Sequence, residues 1–506
     1  MAKKEKSAKK VKPLWVVISF IVLIGVLLLP TPKDLPQMAH VTLAILAFAV
    51  VMWVTEAVSY TVSAVFIIVL MILLLGFSPV GDLAKALGNP MSQGKPITGD
   101  ALLGTSNALK FAFGGFASSA VALVAAALFL AAAMQATNLH KRLALLVLSI
   151  VGNKTSRVVL GAILVSIILA FFVPSATARA GAVVPILMGM IAAFGVAKNS
   201  RLATLLIITA VQAVSIWNIG IKTAAAQNLV AVNFINSSLG HEVSWGEWFL
   251  YAAPWAVIMS IALYFIMLFV IKPEYKEIPG GSDLIKGQLR DMGPITAREW
   301  RLIVLSVLLL LGWSTEKVLH PIDSASITLV AIAIMLMPKI GVIKWEDVEK
   351  NIPWGTIVVF GIGISLGTVL LKTGAAQWLS DKTFGLMGLE SMPIVATIAL
   401  ISLFNILIHL GFASATSLAS ALIPVFISLA STLQLGDNAV GFVLIQQFII
   451  SFGFLLPVSS PQNMLAYGTN TFTVKDFLKT GVPITILGYL LILLLSATYW
   501  KWIGLI

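Results

Sequence analysis

Leu14 to Leu29 runs almost without a polar side chain, and runs of similar length recur along the whole chain. A helix of about 20 apolar residues crosses the hydrocarbon core of a bilayer, because it satisfies every peptide group within its own segment. So much apolar surface cannot be hidden in a water-soluble core. Of the 506 residues, 59% are hydrophobic and only 11% charged, too few charges to coat a soluble body of that length. The runs lack the alternation of a porin strand, so helices are expected rather than a barrel. The expected fold is an all-α polytopic membrane protein.

Eleven crossings are expected, at roughly 14–30, 38–55, 57–76, 110–136, 202–235, 248–271, 302–318, 322–338, 354–372, 438–470 and 482–505. Two further apolar stretches, 156–194 and 393–432, are too long for one crossing and carry small polar clusters at their centres. Both read as re-entrant hairpins with tips near the midplane. The loop at 77–110 reads as external and irregular, and no soluble domain is expected. Met1 to Lys12 holds six lysines and one glutamate. With the apolar run that follows it resembles a secretory signal, but Pro30-Thr31-Pro32 stands where a cleavage site would, so the first helix is expected to stay. The net charge of +12 sits in loops between apolar runs, which argues against a nucleic-acid partner. The absence of cysteine rules out disulfides and thiolate metal sites.

An internal duplication organises the chain. Ser175-Ala176-Thr177 followed by Pro185 matches Ser414-Ala415-Thr416 followed by Pro424 at the same spacing. Trp53 to Glu56 matches Trp313 to Glu316, Gln227-Asn228 matches Gln462-Asn463, and Ser244, Glu247 and Pro254 match Thr473, Asp476 and Pro483. All occur in one order. The chain thus divides into a basic leader and first helix (1–37), a first repeat (38–272), a connector (273–297) that reads as solvated or interfacial, and a second repeat (298–506). The first repeat holds the hairpin 156–194 and a broken helix at 202–235, the second the hairpin 393–432 and a broken helix at 438–470. Five crossings per repeat invert the second copy. With the leader in the cytoplasm, the C-terminus lies outside and most lysines and arginines fall inside, among them Lys141, Arg142, Lys154, Arg157, Lys339, Lys344 and Lys475.

Chemistry is expected at the two tips and the two breaks. Helix ends inside a membrane carry unpaired backbone groups and, at their N-termini, about half a positive charge, which makes them anion sites. The hydroxyls of Ser175, Thr177, Ser414 and Thr416 stand there; simple helix capping is the alternative reading. The breaks at 215–228 and 456–463 occupy corresponding places in the two repeats, a pattern that marks transporter binding sites. Three basic groups, Arg179, Lys222 and His409, fall at membrane depth, where a charge is paired or functional. For Arg179 the alternative is a structural ion pair, for His409 a neutral hydrogen-bonded core residue. No Asp or Glu lies within these hairpin or break segments, so the centre is expected to be net positive and to favour an anion. Glu56 and Glu316 fall at span ends and read as structural or interfacial. Gly361, Gly363 and Gly367 follow no strand and read as close helix packing. No metal-ligand spacing among the five histidines and no hydrolase cluster around His409 favours an enzyme or a metal site.

On the two Ser-Ala-Thr tips and the breaks Gln227-Asn228 and Pro461-Gln462-Asn463, the chain resembles the divalent anion/sodium symporter family (INDY-like) over nearly its whole length. The resemblance implies an elevator-type transporter of the bacterial plasma membrane, a homodimer, and small dicarboxylates as cargo. It places the substrate at Ser175, Ala176, Thr177, Ser414, Ala415 and Thr416, with Asn228 and Asn463 at the breaks. Family tips typically read Ser-Asn-Thr, and the tip asparagine helps to surround sodium. Alanine at 176 and 415 lacks that oxygen, and hard cations bind through oxygen. With Arg179, Lys222 and His409 compensating charge, the resemblance to the citrate/succinate and 2-oxoglutarate/malate antiporter branch (Pro174 to Arg179) implies sodium-independent exchange of C4 dicarboxylates such as succinate, malate and fumarate, without cofactor. A sodium-coupled dicarboxylate, tricarboxylate or sulfate symporter is the alternative, and a membrane-embedded enzyme a more distant one.

Overall fold

The computed structural model describes residues 11–506 apart from 93, 194, 279 and 280, so most of the lysine-rich leader lies outside the described residues. The apolar runs form helices. The first half holds α1 (Pro13–Leu28), α2 (Gln37–Thr55), α3 (Tyr60–Leu70, extended by a π turn through Leu75), α4 (Thr105–Gly114) and α5 (Ser119–Ala136). It continues with α6 (Leu139–Val151), α7 (Thr155–Phe172), α8 (Ala176–Ala193), α9 (Arg201–Gly220), α10 (Ala226–Leu239) and α11 (Trp245–Val270). The second half holds α12 (Gly281–Asp291), α13 (Ala297–Thr315), α14 (Ser324–Leu336), α15 (Trp345–Val348), α16 (Trp354–Thr373) and α17 (Ala375–Phe384). After these come α18 (Ile394–His409), α19 (Ala415–Thr432), α20 (Asn438–Ile450), α21 (Pro461–Tyr467), α22 (Val474–Ala497) and α23 (Tyr499–Trp502). Among the described residues, nine helices are long and apolar enough to cross a membrane and five shorter ones are apolar. The fold is all-α and multi-pass.

Several expectations change. The 77–110 loop is not irregular: β1 (Pro79–Gly81) pairs antiparallel with β4 (Gly99–Leu102), and β2 (Met91–Ser92) with β3 (Lys95–Pro96). Backbone groups in a long exposed loop find partners in each other. The span expected at 110–136 is interrupted at Gly114 to Ser118, giving α4, a 3₁₀ turn and α5. The connector contains the helix α12. Each expected hairpin segment holds two helices, α7 and α8 in the first and α18 and α19 in the second, with Pro185 inside α8 and Pro424 inside α19.

Matched motifs build matched structure. Ser244 and Glu247 form a capping box at the start of α11, and Thr473 and Asp476 form one at the start of α22. In each, the hydroxyl accepts from the third backbone N–H while the acid accepts from the cap N–H, satisfying two orphan donors. Trp53 and Trp313 are both buried near the ends of α2 and α13.

The chain divides into two compact units. The smaller comprises the described residues up to Val121, Trp354–Met392 and Thr416–Gly436. Its packing turns on glycine. The Gly115 N–H donates to Ser365 Oγ at 2.9 Å, and a Cβ on Gly115 would stand 2.1 Å from the Gly361 carbonyl oxygen. A Cβ on Gly363 would meet Ser420 Oγ at 2.2 Å. The glycines of α16 therefore permit close helix approach, as their spacing suggests. Gly115→Ala is expected to cost about 3 kcal/mol by forcing backbone apart, seen as a lower melting temperature and poorer monodisperse yield in detergent. Gly114→Ala, with no atom within 4 Å of the added Cβ, is the control and should behave as the parent. Equal melting of the two variants would refute the packing argument.

The larger unit comprises Ala122–Pro353, Pro393–Ala415 and Asp437–Ile506. Its centre is α9, whose membrane-length window is 100% buried. A helix that touches only protein can carry Thr209, Gln212, Ser215 and Asn218, all buried, which a lipid-facing helix could not. Helices α7, α8 and α11 pack against it. Trp255 Nε1 donates to the Gly488 carbonyl at 3.0 Å, joining α11 to α22. At the polar edge, Arg142 of α6 is buried and pairs with Glu299 at 2.7 Å while donating to the carbonyls of Met292, Gly293 and Pro294. A buried pair is tolerable only when its remaining donors are met in this way. Burial would raise the Glu274 carboxyl, but the Arg201 and Leu202 N–H groups at the start of α9 outweigh it and hold the group below its ordinary value.

Candidate functional site

The first tip lies between α7 and α8. Pro174 keeps Val173 extended, at φ −120° and ψ 95°, and so ends α7. Ser175 Oγ then accepts from the Ala178 N–H at 3.3 Å. The hydroxyl therefore does cap α8, and it keeps its own proton to donate. Ala176 is half-buried, Thr177 exposed and Arg179 fully buried. Two residues along a helix turn through about 200°, so Thr177 faces open space while Arg179 faces protein on the opposite side.

Arg179 reaches the first break, between α9 and α10. One of its terminal nitrogens, Nη2, donates to Asn218 Oδ1 and to the Ala224 carbonyl, the latter at 3.0 Å. Its Nε and Nη1 are buried without a hydrogen-bond partner. Among the described residues no carboxylate stands within ion-pair distance of it. The break itself is closed by Asn228, whose Nδ2 donates to the carbonyls of Asn218 at 2.7 Å and Ile221 at 3.2 Å. The Asn218 carbonyl lies in the last turn of α9, where helical donors run out, and the Ile221 carbonyl just beyond it also accepts from the Ala224 N–H at 3.1 Å.

The second break repeats the device. Asn463 Nδ2 donates to the Gly453 carbonyl at 2.8 Å, ten residues upstream, as Asn218 is ten residues upstream of Asn228. The adjacent glutamines bond crosswise: Gln227 Nε2 to Ser451 Oγ at 3.3 Å, Gln462 Nε2 to Ser215 Oγ at 3.2 Å. Gln447 of α20 also donates to Asn228 Oδ1 at 3.3 Å. The two breaks are thus bound to each other through side-chain amides. Helix α8 of the first hairpin packs on α21, and α18 of the second on α20.

His409, at the end of α18, is buried beside the Ser459 backbone. Asn405, one turn earlier, donates to the Gln446 carbonyl at 3.0 Å. Ser414 and Ala415 follow, half-buried. Thr416, also half-buried, belongs to the smaller unit.

Lys222 departs from expectation. It sits in the break and is buried, but its Nζ donates to the Val243 carbonyl at 2.7 Å, in the loop before α11. Glu316, Glu242, Lys317 and Glu247 are its charged neighbours, although among the described residues no carboxylate stands within ion-pair distance of it. These acids come from outside the break segment, which is why local sequence could not reveal them. Glu316 is itself buried and accepts from Ser324 Oγ at 2.6 Å and the Trp245 N–H at 3.3 Å, a structural role. Arg179, unlike Lys222, has no acid to answer it.

Sequence reasoning placed Ser215 and Asn218 within the first break without giving either a role, and passed over Gln447 and Ser451. One signal was present: Gln212, Ser215 and Asn218 recur at every third position in an otherwise apolar helix, placing polar groups along one face.

Comparison with known proteins finds relatives along nearly the whole chain. The family model "Sodium:sulfate symporter transmembrane region" matches residues 10–506. A membrane protein of Cupriavidus necator is 47% identical over 482 residues, 95% of this chain and 91% of its own length. A citrate/succinate antiporter of Escherichia coli K12 is 26% identical over 496 residues, 96% of this chain and 97% of its own. A sodium-dependent dicarboxylate transporter, SdcS of Staphylococcus saprophyticus, is 25% identical over 494 residues, covering 92% and 87%.

Proposed function

Because this chain belongs to the sodium:sulfate symporter family, we propose that it is a secondary transporter that exchanges small dicarboxylates across the plasma membrane without sodium. Relatives named for citrate, succinate and dicarboxylate transport support the cargo class. The observation that carries the exchange reading is Arg179. Its guanidinium already occupies the Ala224 carbonyl at the first break, an oxygen of the kind a hard cation would need. The tip alanines 176 and 415 offer no side-chain oxygen in its place. A fixed cation in a low-dielectric interior attracts a dianion and cannot leave with it. With the helix N-terminus at the first tip adding about half a positive charge, Arg179 nearly balances a bound dianion, whereas the emptied carrier keeps an unanswered charge that is costly to move through the bilayer, so return requires a second dianion.

In this mechanism the substrate carboxylates meet the hydroxyls of Ser175, Thr177 and Ser414, while Asn228 and Asn463 hold the breaks in shape. Hairpins and broken helices move together as an elevator, within a homodimer. Arg179 compensates charge through the protein interior, from the face of α8 opposite Thr177; Lys222, pinned near Val243 and acidic neighbours, contributes less.

Sodium-coupled symport is the second reading, and one observation favours it. The oxygens Asn463 Oδ1, Asn405 Oδ1 and Gln447 Oε1 around the second break are buried without hydrogen-bond partners, and such oxygens suit a hard cation. Proteoliposomes separate the two. Vesicles loaded with succinate are expected to take up labelled succinate equally with and without a sodium gradient, and empty vesicles hardly at all. Uptake into empty vesicles driven by inward sodium would establish the symport reading instead.

A further inference from the structure

We propose that Asn218 is a positioning residue for the dianion site: its neutral carboxamide holds the Arg179 guanidinium in place without cancelling its charge. The inference rests on the reading that the cargo is a dianion.

A buried guanidinium ordinarily recruits a carboxylate, because an uncompensated ion in a low-dielectric interior is expensive. Arg142 in this same chain does so with Glu299. Arg179 is as deeply buried, yet its partners are Asn218 Oδ1 and the Ala224 carbonyl, both neutral oxygens. Asparagine and aspartate are nearly the same shape, so the position could hold either. The choice sets the net charge of the site at plus one instead of zero. Asn218 also lies in the last turn of α9, which ends at Gly220. A helix C-terminus carries about half a negative charge, a dipole that steadies a cation but adds no ion.

Asn218 is itself held. Its carbonyl accepts from Asn228 Nδ2 at 2.7 Å, and Asn228 Oδ1 accepts from Gln447 Nε2 at 3.3 Å. This chain of amides runs from Arg179 on α8, through both halves of the first broken helix, to α20 of the second. Every link is a neutral amide, of side chain or of backbone, so the geometry is fixed and the charge survives. The remaining guanidinium nitrogens, Nε and Nη1, keep no protein partner, and the field of the cation is left for the cargo.

The test is Asn218→Asp, which preserves shape and hydrogen bond while adding one negative charge. Three results are expected in proteoliposomes and in detergent. The half-saturation concentration for succinate exchange rises roughly tenfold or more, because the paired cation no longer attracts a dianion. Loaded vesicles diluted into substrate-free buffer begin to lose succinate, since the emptied carrier is now neutral. The melting temperature stays level or rises. A purely structural asparagine would give none of the first two effects. N218D with parental half-saturation and no efflux overturns the assignment. Should N218D fail to assemble, Asn218→Ser decides: a shorter neutral acceptor should weaken succinate binding without opening the efflux path, and parental binding overturns the proposal. Parental vesicles that exchange no di- or tricarboxylate overturn the cargo reading, and this inference with it.

Discussion

Replacing Arg179 with glutamine is expected to remove succinate exchange while leaving the protein at least as stable to heat. The two halves of that expectation have one cause. At an effective dielectric of about 20, a unit charge acting on a dianion across the width of a helix, about 10 Å, contributes about 3 kcal/mol, so losing it costs roughly two decades in apparent affinity. Stability runs the other way. Arg179 is fully buried with two nitrogens unsatisfied and no acid beside it, which is a charge the folded state would be better without. Glutamine can still offer an N–H toward Asn218 Oδ1, so little packing is lost. Stability given up for function is the signature of a working site. Arg179→Lys, which retains the charge with poorer geometry, should recover part of the exchange. Exchange by R179Q at the parental half-saturation, or a large fall in its melting temperature, would show the arginine to be structural.

The second large effect is expected at the two break asparagines, and the structure ranks them. Asn228→Ala strips the side-chain donor from the Asn218 carbonyl and leaves Gln447 without its acceptor, while the Ile221 carbonyl keeps the Ala224 N–H. Asn463→Ala strips a donor from Gly453 alone, and its Oδ1 has no partner to lose. Each buried group left unmet costs about 1–3 kcal/mol, and water cannot enter a bilayer interior to repay it. N228A should therefore melt several degrees below the parent and exchange poorly, with N463A intermediate in both. The two breaks are cross-bonded through Gln227 and Gln462, so the double variant should cost more than the sum of the singles. N463A matching or exceeding N228A in severity would mean that the bonds counted here do not govern the breaks.

Much of this architecture could be read along the chain. The matched Ser244/Glu247 and Thr473/Asp476 motifs became two capping boxes because capping is settled within four residues. Hairpins and breaks fell where small and polar residues interrupt apolar runs: α9 stops at Gly220 and α10 starts at Ala226, inside the expected 202–235 segment. The glycines of α16 announced close packing. Less legible was the 77–104 loop, whose β pairs join residues some twenty positions apart. The gap at Gly114 to Ser118 was missed because hydropathy continues across it.

By itself, then, the order of residues determined what is local: which segments are apolar enough for the bilayer, where helices begin and stop, and that one set of features occurs twice. Each of these is settled by neighbours within a turn or two, through burial and backbone hydrogen bonding. Only the tertiary structure decided which basic group stands alone. Lys222 and Arg179 looked alike along the chain, each without a nearby acid. Folding brought Glu316 from 94 positions away to one of them and an asparagine to the other. Electrostatics acts through space with no regard for sequence separation, so the charge left for a substrate could be counted only after the chain had closed around it.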